Sequence, residues 1–305
     1  MKSIKNVLIC GIGAIGSIYA YKINKIFPEN LKILVDKKRL ENYKKNPKIF
    51  NNEKLNLNYI LPEETTYKAD LIIIATKYNA LQEVVENIEN FIKKDTIIIS
   101  LLNGVTSEEE IASKYGWKHV LLSYFIGHSA MRNGNIITYD GIGSIVFGAK
   151  DNGITDKNDV EVLKNYFDSV KINYQIPEDI WRSLWLKYML NVSSNQLSAI
   201  LHTTFGQMQS NHKFMELMKN VMKEVQIIAQ YEGVNNTETM VNEAVENFKK
   251  MSPEGKTSML QDVEAKRKTE VEMFAGHIIS LGQKYNIQTP YNCFLKEMIE
   301  IIHGL

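Results

Sequence analysis

The feature that most constrains the fold is a glycine-rich turn near the start of the chain, set between an apolar segment and an amphipathic one. The apolar run at residues 7–10 has the composition of a buried parallel strand, and it ends at a glycine. From residue 14 onward, apolar residues return at helical spacing. The order strand, tight turn and helix predicts the first unit of a parallel sheet covered by helices.

The turn carries the pattern G-x-G-x-x-G. Its first glycine permits a tight turn, the second leaves no Cβ between the backbone and a pyrophosphate, and the third permits close packing of helix on strand. The helix N-terminus then directs its N–H groups and its positive dipole end at the phosphates. In this context the pattern indicates a nicotinamide dinucleotide site, and a glycine-rich turn without a ligand is the alternative. The residues assigned to the cofactor are Gly11, Ile12, Gly13, Ala14, Ile15 and Gly16.

A second apolar strand, at residues 31–35, ends at Asp36, where the residue that reads the cofactor ribose is expected. A carboxylate there would accept hydrogen bonds from the ribose hydroxyls and repel a 2′-phosphate, which favours NAD(H). Lys37, Lys38 and Arg39 follow directly, and these cations favour the 2′-phosphate of NADP(H). The sequence leaves both cofactors open, with Asp36 and Lys37 as the candidate contacts.

The composition excludes several classes of protein. The 305 residues are 44% apolar and 23% charged, as in ordinary globular proteins, and the length favours two domains. A net charge of +1 gives no electrostatic basis for binding nucleic acid or an anionic membrane, and no apolar stretch is long enough to span a bilayer. The two cysteines are far apart, so neither a disulfide framework nor a metal site is predicted. We expect a cytoplasmic protein.

Strand and helix patterns alternate in the first part of the chain, and then the pattern changes. Three segments separated by glycine-containing turns are expected to extend the sheet as antiparallel strands: 119–126, 135–139 and 144–147. After Pro177 the pattern is almost entirely helical, with breaks expected near Gly233, Pro253, Gly282 and Pro290. The sequence therefore predicts an α/β Rossmann domain in residues 1–176 and an all-α domain in residues 177–305.

Two polar residues stand just past the ends of predicted parallel strands. Lys77 follows the strand at residues 70–76, and Asn103 follows the strand at residues 96–102. Ligands bind at the carboxyl ends of such strands, so both are candidate binding residues. A solvated loop lysine and an ordinary Asn-Gly turn are the alternative interpretations.

The helical half contains a polar stripe on an otherwise apolar helix. Lys187, Asn191 and Asn195 are four residues apart, and Ser194 and Ser198 lie near the same line. Burial of these groups without partners would cost a few kcal/mol each, so the stripe faces either water or a polar pocket. In a pocket, the lysine could polarise a ketone and protonate the alkoxide that hydride transfer leaves, while the amides orient a carboxylate.

A third polar segment, residues 257–270, includes Ser258, Asp262 and Glu270. By spacing alone it is an amphipathic surface helix with mixed charges.

Together these stretches resemble one family, the ketopantoate reductases (2-dehydropantoate 2-reductases), and the resemblance runs over nearly the whole chain. The polar stripe and the segment that begins at Ser258 are specific, whereas the glycine motif is shared with many dehydrogenases. The matching motifs are Gly11-Ile-Gly13-Ala-Ile-Gly16, Thr76-Lys77, Leu102-Asn103-Gly104-Val105, Lys187-x-x-x-Asn191-x-x-x-Asn195, and Ser258-Met-Leu-Gln-Asp262 followed by Thr269-Glu270.

The resemblance implies a Rossmann domain followed by an all-α domain of the 6-phosphogluconate dehydrogenase C-terminal type. It implies NADPH-dependent reduction of ketopantoate to (R)-pantoate, a step toward pantothenate and coenzyme A. By position, Lys187 resembles the general acid and Glu270 a second catalytic group, which organises the lysine or the cofactor ribose. The remaining roles implied by position are cofactor binding by Lys77, Asn103 and Glu270, and substrate binding by Asn103, Lys187, Asn191, Asn195 and Ser258.

This sequence departs from the family pattern at three positions. The family usually has an arginine at the end of the second strand, where Asp36 stands here, so NAD(H) stays open beside NADP(H). A family asparagine shortly before the serine is replaced around Gly255, and Gln196 stands where the family often has proline. Fold and reaction type are unaffected by these changes, and a substrate other than ketopantoate stays open.

Two other functions are compatible with the sequence. One is a related dehydrogenase acting on another 2-keto acid or on an opine, and the other is a non-catalytic dinucleotide-binding sensor, which the intact Lys187 stripe disfavours. A homodimer formed through the helical domain is also compatible, although no motif specifies it.

Overall fold

The computed structural model describes residues 2–127 and 130–304. The chain divides into two compact units, Met1–Ile180 and Trp181–Leu305. The first unit contains strands and helices. In the described residues of the second unit the regular elements are all helical.

The first unit is built on an eight-stranded sheet with the order β12-β11-β8-β7-β6-β1-β2-β5. Its six strands from β8 to β5 are parallel to one another, in the order typical of a dinucleotide-binding fold. The predicted Rossmann domain is confirmed. The strands of the unit are β1 (Val7–Cys10), β2 (Leu31–Leu34), β3 (Ile49–Phe50), β4 (Glu53–Lys54), β5 (Tyr59–Ile60), β6 (Leu71–Ile74), β7 (Ile97–Ser100), β8 (Val120–Gly127), β9 (Met131–Asn133), β10 (Ile136–Thr138), β11 (Gly143–Gly148) and β12 (Tyr174–Gln175).

Helices cover both faces of this sheet, because successive side chains of a strand point to opposite faces. In β1, Val7 and Ile9 join one apolar cluster, while Leu8 and Cys10 join the other. Side chains of α1 and α5 pack in the first cluster, and those of α3 and α4 pack in the second. The helices are α1 (Ala14–Ile26), α2 (Lys37–Lys45), α3 (Leu81–Asn87), α4 (Ser107–Tyr115) and α5 (Asn158–Ser169).

The predicted antiparallel extension of the sheet is right for one of its three segments and wrong for two. The segment predicted at 119–126 forms β8, which joins the sheet parallel to β7. Strand β11 pairs antiparallel with β8 over six residue pairs. Strand β10 instead joins a separate four-stranded sheet of order β4-β3-β10-β9. The side chain of Asn51 fixes this pairing, because its Nδ2 donates to the Tyr139 carbonyl and its Oδ1 accepts from the Tyr139 amide, both at 2.8 Å.

The second unit packs its helices around the buried middle of its longest helix. The helices are α6 (Ile180–Leu201), α7 (Phe205–Ser210), α8 (His212–Tyr231), α9 (Met240–Lys249), α10 (Ser258–Glu264), α11 (Ala275–Tyr285) and α12 (Pro290–Gly304). Trp185 and Tyr188 of α6 are fully buried, and the Tyr188 hydroxyl donates to the Met273 carbonyl at 2.7 Å. Within the described residues, no helix is long and apolar enough to cross a membrane.

One predicted helix break is wrong. Helix α11 continues through Gly282 and ends at Tyr285. A Cβ at Gly282 would lie 2.7 Å from the Ile287 carbonyl oxygen, and the Ile287 amide donates to the Gly282 carbonyl at 2.7 Å. The glycine therefore permits the following loop to fold back on the helix rather than ending it.

Candidate active site

The glycine-rich turn has the geometry of a phosphate cradle. Gly11 has a φ of +96°, and a Cβ on it would lie 2.7 Å from the Ala75 carbonyl oxygen. A Cβ on Gly16 would lie 1.9 Å from the Gly11 carbonyl oxygen, so α1 packs against the turn in a way that only glycine permits. Beside Gly13, the N-cap of α1, the space is open, and no side chain caps the helix. This open helix N-terminus fits a pyrophosphate.

Thr76 is a residue of this cradle that the motif analysis noted only as the neighbour of Lys77. Its methyl carbon would lie 2.8 Å from a Cβ on Gly11, so it borders the turn. Its Oγ1 is buried and makes no hydrogen bond within the described residues. A buried hydroxyl without a protein partner next to a phosphate cradle is available to a ligand or an ordered water. The available sequence signal was its place as the last residue of the predicted strand at residues 70–76, and the observed strand β6 ends two residues earlier, at Ile74.

Asp36 has a local partner that the sequence analysis missed. It is the N-cap of α2, and its Oδ1 accepts from the Arg39 backbone N–H at 2.6 Å. Its Oδ2 lies 3.1 Å from the Arg39 guanidinium. Lys37 is exposed, with its Nζ 3.4 Å from Glu63 Oε1. The carboxylate therefore anchors a helix, and its charge is partly neutralised at the position expected for the ribose.

Lys77 and Asn103 lie at the same edge of the sheet as the glycine-rich turn. Strands β1, β6 and β7 are adjacent and parallel, and Ile74 is paired with both Cys10 and Ser100. The three loops that follow these strands therefore leave the sheet side by side. Lys77 is exposed and Asn103 is half-buried. Within the first unit, the structure brings these predicted cofactor residues together with the cradle.

The polar stripe of α6 is half-buried at its start and buried at its end. Lys187 and Asn191 are half-buried, whereas Asn195 is 5% exposed. Two serines near the same line do not belong to it, because the Ser194 hydroxyl donates to the Leu190 carbonyl and the Ser198 hydroxyl to the Thr203 carbonyl, both at 2.7 Å. The Asn191 amide makes no protein hydrogen bond within the described residues, which leaves it available to a ligand.

Asn195 and Ser258 contact each other although they are distant in sequence. Asn195 Oδ1 accepts from the Ser258 hydroxyl at 3.2 Å and from the Met259 amide at 3.4 Å. The asparagine thus binds the first turn of α10, whose N-cap is Thr257. Ser258 is exposed, so its hydroxyl meets solvent beside the stripe.

Glu270 does not continue the helix that carries Ser258, which corrects the prediction of one amphipathic helix. Helix α10 ends at Glu264, and Lys266 follows with a φ of +51°. The Arg267 side chain donates to Asp262 at 2.7 Å and turns the chain. Glu270 is half-buried and precedes the 3₁₀ turn Val271–Met273. In the described residues its carboxylate makes no protein hydrogen bond or ion pair.

Family models match both units of the chain. The model described as "Ketopantoate reductase PanE/ApbA" matches residues 7–152, and the model described as "Ketopantoate reductase PanE/ApbA C terminal" matches residues 179–303. A curated relative, the 2-dehydropantoate 2-reductase of Streptococcus pyogenes serotype M6, is 26% identical over 299 residues, which is 96% of each chain.

Two solved structures share the fold. A D-mandelate dehydrogenase, described in complex with NADH and anilino(oxo)acetate, has a TM-score of 0.85 at 22% identity and covers 98% of both chains. A ketopantoate reductase from Staphylococcus aureus, described as dimeric, has a TM-score of 0.74 at 22% identity and covers 98% of this chain and 99% of its own. The resemblance inferred from the motifs is confirmed by the family models, and the chain belongs to the ketopantoate reductases, a family of oxidoreductases.

Proposed function

We propose that the protein reduces ketopantoate to (R)-pantoate with a nicotinamide dinucleotide as reductant, in the synthesis of pantothenate and coenzyme A. The observation that carries the proposal is the polar array of the second unit. It joins the stripe residues Lys187, Asn191 and Asn195 to Ser258 through the 3.2 Å contact between Asn195 and the serine. A cation and two amides on one face of α6, with a hydroxyl of α10 bonded to the last amide, match a 2-keto acid, which offers a carboxylate and a ketone.

The first unit has residues that fit the cofactor. The open helix N-terminus at Gly13 and the bare Thr76 hydroxyl would receive the pyrophosphate, while Lys77 and Asn103 at the same sheet edge would contact the rest of the dinucleotide. When bound, the reduced nicotinamide supplies a hydride to the C2 ketone. No metal is invoked in this scheme.

Lys187 is the general acid of the proposal. Its ammonium polarises the C2 carbonyl and donates a proton to the alkoxide oxygen that forms there. The amides of Asn191 and Asn195 and the Ser258 hydroxyl orient the substrate by hydrogen bonds without adding charge. Glu270 is the second catalytic group, which orients the lysine or accepts from the cofactor ribose.

We assign NADP(H) as the favoured cofactor. The support is the cluster Lys37, Lys38 and Arg39, together with the local pairing of Asp36 with Arg39, which reduces its repulsion of a 2′-phosphate. NAD(H) is the alternative, since Asp36 keeps an exposed carboxylate edge, with 38% of its side chain accessible.

The test is loss of absorbance at the nicotinamide band with purified protein, ketopantoate, and NADPH or NADH in parallel. Oxidation that requires the keto acid is expected. Lys187→Ala should lower turnover by about 10²- to 10⁴-fold, the range for a general acid, with dinucleotide affinity retained. Lys219→Ala, which removes a half-buried lysine of α8 that pairs with Glu216, is the matched control and should leave turnover unchanged. Dinucleotide binding without oxidation of either cofactor would refute ketopantoate as substrate.

A second candidate substrate is favoured by one contact in the second unit. The family asparagine is replaced around Gly255, and a Cβ on Gly255 would lie 2.6 Å from the Phe205 ring. The Phe205 ring packs edge-on against buried Phe248 at 5.8 Å, so it cannot easily move aside. We take this segment, three residues before Ser258 in the chain, to border the substrate. A wall of glycine and phenylalanine would then favour a more apolar 2-keto acid, and the mandelate dehydrogenase shares this fold. Higher kcat/KM for phenylglyoxylate than for ketopantoate would establish this second substrate.

We also propose a homodimer, on the ground that a related ketopantoate reductase is described as dimeric. Sedimentation equilibrium at micromolar concentration tests this, and a single species at the 35.0 kDa chain mass would contradict it.

A further inference from the structure

The acidic first turn of α4 makes three different contacts, and one of them reaches the loop of Lys77. The run Glu108, Glu109 and Glu110 is favourable at a helix N-terminus whatever its contacts. Glu110 Oε1, however, accepts from the Tyr78 hydroxyl at 2.5 Å, and Tyr78 is the residue directly after Lys77. Glu109 Oε1 lies 3.6 Å from the Lys150 ammonium at the surface. The Glu110 contact therefore connects α4 to the loop between β6 and α3.

Glu108 connects the same turn to the loop of Asn103. It is 1% exposed, and its carboxylate accepts from the Ser107 hydroxyl at 2.7 Å and from the Ser123 amide of β8 at 3.2 Å. The Ser107 hydroxyl lies 2.8 Å from the hydroxyl of Ser100, the last residue of β7. Ser100 and Ser107 are the two ends of the segment that carries Asn103, so this buried network closes that segment into a fixed loop.

We propose that Tyr78 and Glu110 are positioning residues for the dinucleotide, which set the place of Lys77 relative to the Asn103 loop. The inference rests on the proposed function, because it takes Lys77 as a cofactor contact. The first turn of α4 is a common anchor: Glu108 binds one loop through buried partners, and Glu110 binds the other through a single hydroxyl.

The Tyr78–Glu110 bond is suited to this role and is not part of the core. Both residues are half-buried, so loss of the bond leaves two polar groups that water can reach. Burial and the neighbouring Glu110 carboxylate both raise the pKa of Tyr78, so its hydroxyl stays protonated and donates at neutral pH. A bond of this kind contributes little to folding but restricts the loop that precedes α3.

The chain offers a matched control at the other end of the same helix pair. The hydroxyl of Tyr115, the last residue of α4, donates to the Val85 carbonyl of α3 at 2.5 Å. Both tyrosines therefore link α4 to the α3 segment, but only Tyr78 adjoins Lys77. Tyr115→Phe removes an equivalent bond without touching the dinucleotide loops.

The experiment is a double-mutant cycle with Tyr78→Phe and Lys77→Ala, in which NADPH and NADH affinity is measured by quenching of protein fluorescence and Tm by calorimetry. Tyr78→Phe should weaken binding of the preferred dinucleotide by about fivefold, and it should have no further effect in the Lys77→Ala background, because coupled residues are not additive. Glu110→Ala should reproduce this loss, and Glu110→Gln should restore affinity because its Oε1 still accepts the hydroxyl. Tyr115→Phe should leave affinity unchanged.

Several results would overturn the inference. Unchanged dinucleotide affinity in Tyr78→Phe would overturn it, and so would an equal loss of affinity in Tyr115→Phe. A loss of affinity on adding Tyr78→Phe to Lys77→Ala that equals the loss in the wild-type background would overturn it as well. In those cases the wild-type protein still binds the dinucleotide, so the proposed function stands. A wild-type protein that binds neither NADPH nor NADH overturns the proposed function, and the inference with it.

Discussion

Lys48 is a buried lysine whose replacement should stabilise the protein in a pH-dependent way. Its side chain is 1% exposed, and its ammonium lies 5.1 Å from the centre of the Tyr43 ring. Within the described residues, no carboxylate is within ion-pair distance of it. Burial, and secondly the nearby Arg132, lower the pKa of Lys48 from 10.5 to about 8. The fold therefore disfavours the charged form.

The magnitude follows from this lowered pKa. A fall in pKa from 10.5 to about 8 corresponds to about 3 kcal/mol of lost stability, at about 1.4 kcal/mol for each pKa unit. Local relaxation and water penetration around a buried amine lower the cost that is realised, so we expect about 1–2 kcal/mol. Lys48→Met keeps the length of the stem and removes the charge, so we expect it to raise the free energy of unfolding by about 1–2 kcal/mol at pH 7.

The pH dependence distinguishes this mechanism from improved packing. Below pH 8, Lys48 is protonated in the folded and unfolded chains, and the full cost applies. Between pH 8 and 10.5 the unfolded chain binds more protons, so wild-type stability from this group rises with pH. The advantage of Lys48→Met should therefore shrink from pH 8 and vanish near pH 10.5.

The assay is urea unfolding followed by fluorescence at pH 7, 8, 9 and 10, with Lys54→Met as the control on the exposed strand β4. The control should show no such convergence with the wild type. Two results would refute the reasoning: a Lys48→Met protein less stable than the wild type at pH 7, or a stability difference that stays constant over this pH range.

Three further predictions concern stability and the glycine-rich turn. Glu224→Ala should lower the free energy of unfolding by about 2–4 kcal/mol, because the Glu224 carboxylate accepts three N–H hydrogen bonds from the first turn of α12 at 2.8–3.0 Å. Calorimetry measures this loss, and a loss below about 1 kcal/mol would contradict the prediction. Gly16→Ala should lower both Tm and dinucleotide affinity, because the added Cβ would clash with the Gly11 carbonyl oxygen. Gly13→Ala should lower affinity and leave Tm unchanged, because the space beside Gly13 is open within the protein. Equal Tm losses in the two variants would contradict this steric difference between the two glycines. Burial lowers the pKa of His277, so the unfolded chain takes up a proton first as pH falls below about 6.5, and stability declines. His277→Gln should flatten the stability profile just below pH 6.5, and an unchanged slope would exclude His277 as its source.

The local parts of the fold were predictable because their signals are local. The apolar run, the glycines and the return of helical spacing specify β1, the turn and α1 within residues 7–26. Pairing of distant segments has no such signal. Strand β10 pairs with β3, more than eighty residues earlier, and the Asn51 side chain holds the chain just past both strands. Nothing near β10 in sequence indicates this partner.

The candidate site was predictable in its residue types and less so in how those residues are used. The spacing of Lys187, Asn191 and Asn195 places them on one face, and this follows from helical geometry alone. Ser194 lies near the same line, but its hydroxyl donates to the Leu190 carbonyl of its own helix, and the spacing does not predict this bond. The end of α10 was missed for a similar reason, because its stop depends on the left-handed Lys266 rather than on glycine or proline.

Asp36 shows how one residue can satisfy two patterns, and its substitutions separate them. It occupies the ribose position of a dinucleotide fold, and it is also the N-cap of α2 through its 2.6 Å bond from the Arg39 amide. Asparagine caps helices as well as aspartate does, so Asp36→Asn removes the charge and keeps the cap, while Asp36→Ala removes both. If the carboxylate charge controls cofactor choice, both variants should shift the ratio of kcat/KM toward NADPH by the same factor. If the cap controls choice by placing Lys37 and Arg39, only Asp36→Ala should change the ratio. An identical ratio in the wild type and both variants would remove Asp36 from the ribose site, and the cofactor would then be selected elsewhere.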